Sequence, residues 1–235
     1  MGSLEAPRDE DREGLNVLEL GLKRDPGAPL NVLCLGAHSD DIEIGCGGTI
    51  LRLTRLYENT SITWIVFSTG EDDRREKEAM AGASLFLERA AEKRIVVEHF
   101  RESFFPFAGE RIKECFEQWK TRLTPDLIFT HYRHDLHQDH RTISDLTWNT
   151  FRGSLVLEYE IPKWDGDLGS PNCYVRIPDD LADLKVRSIC DTFVTQHGKA
   201  WFTPDTFRAL MRLRGVESNC HFAEAFHARK LVLGG

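Results

Sequence analysis

The chain predicts an α/β class, a Rossmann-like layered fold with a mostly parallel central sheet flanked by helices. Short apolar runs of strand length recur at residues 31–36, 61–67, 94–97, 126–130 and 155–159. Helical patterns fill 44–57, 74–91, 110–122 and 139–151, between successive runs. Connections of that length favour parallel crossovers over hairpins. With 235 residues and 41% hydrophobic content, the chain can bury one sizeable core. Residues 28–235 therefore read as a single domain, preceded by a polar extension over 1–27.

The first run leads into Ala37-His38-Ser39-Asp40-Asp41 and then a helix in which Leu51, Leu53, Leu56 and Tyr57 supply much of one apolar face. Gly45, Gly47 and Gly48 fall in that helix, where each costs about 1 kcal/mol relative to Ala. Their expected benefit is close approach of backbone to the preceding loop or to a neighbouring strand. A phosphate cradle competes with that reading, but neither Gly-x-Gly-x-x-Gly nor Gly-Lys-Ser/Thr is present. Cys46, between two of the glycines, reads as a small apolar residue at a tight contact rather than a site residue.

The second run ends in Ser68-Thr69-Gly70 and an acidic turn, Glu71-Asp72-Asp73, before Arg74 and Arg75. Cations at a helix start oppose the macrodipole. Either they pair with the adjacent acids, or Arg75 points into a crevice to hold an anionic or hydroxyl-rich substrate. Pro125 and the strand-like fourth run argue against one continuous helix bearing His131, His134, His137 and His140. His131 and His134 then read as loop or supporting residues. The fifth run opens onto 159–172, a stretch of Pro, Gly, Asp and Asn around Trp164. It is either a structural loop or a lid whose aromatic face stacks on a sugar. His197 reads as an ordinary polar residue.

A net charge of −8, with no basic stripe, excludes a nucleic-acid backbone as the main partner. No stretch approaches 18 consecutive apolar residues, and the first 27 residues lack the apolar centre of a signal peptide. A cytoplasmic enzyme without a membrane span is the expectation. The six cysteines form no Cys-x-x-Cys pair, so reduced thiols are expected rather than a zinc ribbon or disulfide framework. The absence of Gly-x-Ser-x-Gly disfavours a serine esterase.

Two segments carry the chemistry. His38, Asp40 and Asp41 follow the first run, and His137, Asp139 and His140 follow the fourth. Loops at the carboxyl ends of strands converge on one crevice in open α/β folds. Two imidazoles and one carboxylate, with a position left for water, suit a catalytic zinc ion, and His38, Asp41 and His140 are the candidate ligands. Another divalent transition metal suits the same donors. Asp40 is then free to take a proton from the water that the metal activates. The competing reading is a turn, a helix N-cap and a polar loop.

Residues 33–49, Leu-Cys-Leu-Gly-Ala-His-Ser-Asp-Asp-Ile-Glu-Ile-Gly-Cys-Gly-Gly-Thr, resemble the opening AHPDDxxxGxGGT motif of the PIG-L/LmbE-like zinc-dependent N-acetylglucosaminyl deacetylases. His137-Gln138-Asp139-His140-Arg141 resembles their second motif, and the resemblance runs from about residue 31 to 152. Ala223-Glu224-Ala225-Phe226 is similar to a late element of many members. The resemblance implies zinc on His38, Asp41 and His140, and Asp40 as general base. It also implies that His137 stabilises the oxyanion or protonates the leaving amine, with Asp139 orienting it. Ser39 stands where the family usually has Pro, which removes a rigid backbone element but no ligand.

The expected substrate is a small N-acetylated amino sugar of the N-acetylglucosamine type, with the acceptor and any homo-oligomer left open. The alternatives are an amidase for a larger acyl or thiol-conjugate amide, or a non-catalytic sugar-binding protein. Arg75-x-x-Glu78 also resembles a family pattern in which the arginine contacts substrate. Replacing Arg75 with Ala is expected to raise KM for the true substrate about tenfold or more, through loss of one charge-assisted contact. Steady-state kinetics check this, and unchanged KM would remove Arg75 from the site.

Overall fold

Residues 21–22 and 27–232 are described by the structure, a computed structural model; the polar extension expected over 1–27 lies almost wholly outside them. Five strands, Leu30–Gly36 (β1), Thr60–Val66 (β2), Glu92–Val97 (β3), Leu127–His131 (β4) and Leu155–Tyr159 (β5), run parallel. Between them lie Asp41–Leu56 (α1), Asp73–Phe86 (α2), Gly109–Lys120 (α3) and Gln138–Thr150 (α4). A short 3-10 turn, Phe105–Ala108, precedes α3. Beyond residue 159 the chain adds Cys173–Ile177 (β6), Asp179–Thr192 (α5), Pro204–Glu217 (α6) and Phe222–Ala228 (β7), none of which the apolar pattern singled out.

The sheet order is β3-β2-β1-β4-β5-β7-β6, and among the described strands β7 alone runs opposite in direction to the others. Side-chain parity assigns the two faces. Leu30, Val32, Cys34, Ile62, Trp64 and Phe129 share one core with Ile50 of α1, Phe86 of α2, Ile189 of α5 and Phe207 of α6. Leu33, Leu35, Ile65 and Ile128 share the other with Ile112 and Phe116 of α3 and Ile143 of α4. Helices therefore cover both faces, which is why the central strands read as continuous apolar runs rather than alternating ones.

The largest boundary shifts are in the second helix and the first. The second stops at Phe86 rather than 91, because a turn at 87–89 feeds β3, which starts at 92 rather than 94, and the first starts at Asp41 rather than 44. Leu56, expected on the apolar face of α1, is 46% exposed, whereas Leu51 and Leu53 are buried.

The glycines of α1 meet neighbours at close range. A Cβ on Gly45 would lie 2.2 Å from Cδ2 of Tyr159 in β5, and one on Gly47 would lie 2.5 Å from Cε1 of Phe86 in α2. On the same helix, the Gly48 and Thr49 amides donate to Glu224 of β7 (2.8 and 2.7 Å). Glu224 pairs with Lys185 of α5 (2.6 Å), which also donates to the Ile44 carbonyl (2.6 Å). This buried pair ties the last third of the chain to α1.

β1 is the switch point of the sheet. Its own connection runs through α1 to β2 on one side, while the chain returns through α3 to β4 on the other. The loops leaving β1 and β4 thus diverge to opposite faces and leave a crevice between them. Among the described residues, no helix is long and apolar enough to cross a membrane.

A methyl group at Gly45 must displace the Tyr159 ring, so Gly45→Ala is expected to destabilise the protein by about 1–3 kcal/mol. The same change at Gly153, where an added Cβ meets nothing within 4 Å, should stay within about 0.5 kcal/mol. Denaturant midpoints at constant slope check both.

Candidate metal centre

The crevice between the carboxyl ends of β1 and β4 gathers both motifs. His38 and Asp40 follow β1, and Asp41 is the first residue of α1. His131 ends β4, His137 is the N-cap of α4, and Asp139 and His140 lie in the first turn of that helix. All are buried except His137, which is half-buried.

Three donor pairs have the spacing of one small cation. Nδ1 of His38 lies 3.2 Å from Nε2 of His140 and 3.3 Å from Oδ2 of Asp41, while Nε2 of His140 lies 3.5 Å from Oδ1 of Asp41. A tetrahedral ion with bonds of about 2.0–2.1 Å requires donors roughly 3.3 Å apart, so these residues fit zinc in spacing and in donor type. The donor atoms of His38, His137 and His140 also lie within 4.8 Å of one another, as do those of Asp41, His131 and His140.

Hydrogen bonds separate the histidines that have a free lone pair from those that do not. Nε2 of His131 accepts the Ala37 amide (2.9 Å), which engages that lone pair. His131 instead stacks on His140 (centroids 3.9 Å), and its bond to Ala37 ties β4 to the loop after β1. It sits at a strand end rather than in a loop. Nδ1 of His140 contacts Oδ2 of Asp135 at 2.9 Å, and Nε2 of His38 contacts Oδ2 of Asp139 at 3.2 Å. Each carboxylate takes an N–H from the outer ring nitrogen and leaves the inner nitrogen facing the centre.

The Asp139 contact departs from the expected one. Its carboxylate lies on His38 rather than His137 and also accepts the Ser103 and Phe105 amides (2.6 and 3.1 Å). Only its backbone amide reaches His137, donating to Nδ1 (3.2 Å). That bond puts the proton of neutral His137 on Nε2.

The adjacent carboxylates Asp40 and Asp41 are driven apart electrostatically. Asp40 occupies the N-cap position of α1, yet its side chain makes no capping bond, and Oδ2 is buried without a hydrogen-bond partner. Burial and the neighbouring Asp41 charge push its pKa up to about 6. For Asp41, burial acts in the same direction, but His140, His131 and His38 outweigh it and hold the carboxylate well below its ordinary range. Burial would lower the pKa of His38, but Asp41 and Asp139 push it up to about 10. Burial and His131 bring His140 down to about 3.

Arg74 takes the pairing that adjacent acids offer, bonding Asp72 (2.9 Å). Arg75 instead turns inward to Glu102, with its Nε buried and unpartnered, and its charge acts on Asp40. Trp164 is 71% exposed on the loop after β5. His134 is an exposed edge contact of Tyr132. His197 is bonded to the Cys190 carbonyl (2.8 Å), and Cys46 is a core residue whose thiol donates to the Ile42 carbonyl (3.4 Å). The sequence reading missed Asp135, Glu102 and Lys163. Asp135 alone had a local signal, as an acid five residues before His140 in the same loop.

Fold and site define a layered α/β protein with a buried histidine–aspartate centre at the sheet's switch point. The family described as PIG-L, GlcNAc-PI de-N-acetylase, matches residues 33–151, and the chain belongs to it. Among solved structures, it is similar to N,N'-diacetylchitobiose deacetylase from Pyrococcus horikoshii, at 21% identity and TM-score 0.64, with 85% of this chain and 83% of that one covered. A 4-carboxy-2-hydroxymuconate hydratase from Pseudomonas putida KT2440 matches at 17% identity and TM-score 0.65, covering 87% and 98%. The zinc inhibited form of teicoplanin deacetylase matches at 14% identity and TM-score 0.64, covering 84% and 97%. Likenesses this distant show a shared fold, and the hydratase among them means that the fold does not fix the reaction.

An ion held by His38 and His140 displaces the extra proton that His38 keeps at neutral pH, whereas His140 is already a neutral imidazole. Apparent zinc affinity is therefore expected to rise about tenfold per pH unit between roughly pH 7 and 9, with one proton released per ion. Competition with a chromophoric chelator across that range, together with proton release in weak buffer, checks the slope.

Proposed function

We propose that this protein is a zinc-dependent hydrolase that removes the N-acetyl group from a small N-acetylated amino sugar of the N-acetylglucosamine type. The observation that carries this reading is Asp40, a buried, non-capping carboxylate with a raised pKa beside three donors spaced for one metal ion. A cap or a surface turn needs none of those features, and a binding module needs no spare base beside a metal ligand.

His38, Asp41 and His140 hold the metal in this reading. When bound, zinc supplies Lewis-acid polarisation of the acetyl carbonyl and lowers the pKa of water to about 7. Asp40 takes the proton of the attacking water; at a pKa of about 6 it is ionised at neutral pH yet basic enough to accept it. Burial lowers the pKa of His137, so in this reading the ring acts as a neutral donor rather than as the imidazolium. Its Nε2–H stabilises the developing oxyanion. The proton on Asp40 then passes to the nitrogen as the C–N bond breaks, releasing acetate and the amine. Arg75 binds sugar hydroxyls or an anionic substituent, and Trp164 stacks on the ring.

A larger acyl or aglycone is the second reading. Phe107 (82% exposed), Trp164 and Leu136 present apolar surface, and each is within two residues of a side chain at the site: Phe105, Lys163 and His137.

Asp40→Asn is expected to lower kcat about 10²-fold or more while bound zinc persists. Acetate release is measured on free, nucleotide-linked, glycosidic and glycolipid N-acetylglucosamine compounds, with a chelated control. Chelator-sensitive turnover on one compound identifies the substrate class. A fully active Asn variant refutes the base, and silence across the panel with zinc bound favours the larger amide.

A further inference from the structure

The loop between β5 and β6 reaches the metal centre through one buried ammonium group. Nζ of Lys163 lies 3.0 Å from Oδ2 of Asp135 and 2.6 Å from Oδ2 of Asp167, and these side chains are 7%, 3% and 6% exposed. The same Asp135 oxygen is 2.9 Å from Nδ1 of His140. Asp167 also accepts the Leu136 amide (2.7 Å), while the other Asp135 oxygen accepts the His137 amide (2.7 Å). Lys163 thus clamps the loop that carries Trp164 onto the segment that carries His137 and His140. Gly166, with φ of 61°, makes the intervening turn in a backbone conformation that favours glycine.

We propose that Lys163 is a positioning residue that couples the Trp164 loop to the metal ligand His140 through their shared partner Asp135, so that loop order and metal affinity rise and fall together. Asp135 keeps the Nδ1 proton of His140 in place and the Nε2 lone pair facing the centre, and partners of this kind typically change metal affinity 10–100-fold. Without the ammonium, Asp135 and Asp167 are two buried carboxylates facing each other. Their repulsion opens the loop and turns Asp135 away from the imidazole. Linkage requires the converse: an ion that fixes His140 also fixes Asp135, Lys163 and the loop.

The proposal rests on the metal-centre reading, and its test separates the two. Zinc affinity is measured by chelator competition at one pH for the wild type, Lys163→Met and Lys163→Arg, with circular dichroism on each. Amide hydrogen exchange over 160–168 is followed in the wild type with and without zinc. The Met variant is expected to bind zinc about tenfold or more weakly, the Arg variant within about threefold of wild type. Zinc should slow wild-type loop exchange, and that response should vanish in the Met variant. A folded Met variant with wild-type zinc affinity overturns the coupling. So does wild-type loop exchange that ignores zinc, a result independent of whether the variant folds. A wild-type protein that binds no zinc overturns the metal-centre reading itself.

Discussion

Burying a cluster of ionisable side chains in one crevice is the constraint that organises this molecule. An isolated buried charge is destabilising by several kcal/mol even after relaxation. The centre holds His38, Asp40, Asp41, Asp135, Asp139 and His140 within nine residues of the ends of β1 and β4. Nearly all of them are compensated locally. Asp139 takes two backbone amides and an imidazole, Asp135 takes an amide, an imidazole and an ammonium, and Asp41 takes the His38 amide at 2.6 Å. Asp40 Oδ2 is left without a partner.

The same constraint explains the glycines. Asp41 reaches the histidines only if the start of α1 lies tightly against the sheet, which Gly45 allows by accepting the Tyr159 ring against bare backbone. Tyr159 in turn donates its hydroxyl proton to the Leu35 carbonyl (2.7 Å) and touches His131 (3.2 Å). Helix propensity is sacrificed at a few positions of α1, and the return is close packing of the helix start against β5 and α2. Glu224 and Lys185 brace the same helix from the far end of the chain.

Legibility in the sequence follows the range of the interactions. The parallel strands β1, β2, β4 and β5 were readable because burial on both faces produces apolar runs that need no knowledge of partners, whereas the edge strand β3, exposed over its first three residues, showed only its later part. The convergence of the two motifs was readable because each is contiguous and the strand ends announce the crevice. The strands β6 and β7 were not. β6 is half-exposed along most of its length, and nothing local to Phe222–Ala228 shows that it inserts antiparallel between β5 and β6. Glu102 and Lys163 approach the site only through tertiary contacts, so their sequence neighbours carry no trace of the role. The Asp139 carboxylate misled for the same reason: its neighbour in sequence is His137, but its partner in space is His38.

Asp40 and Asp41 show how one dipeptide holds two carboxylates of opposed proton affinity. Both carboxylates are buried, and burial raises the proton affinity of each. The difference lies in which way each faces. Asp41, inside the first turn of α1, is surrounded by three imidazoles and stays anionic. Asp40, one residue earlier, receives the repulsion of that anion on top of its burial, and the attraction of Arg75, Lys199 and His38 does not offset them, so its pKa rises to about 6. The charge that Asp41 keeps is therefore also what raises the proton affinity of its neighbour. Exchanging the two side chains' surroundings, rather than their identities, would exchange their roles.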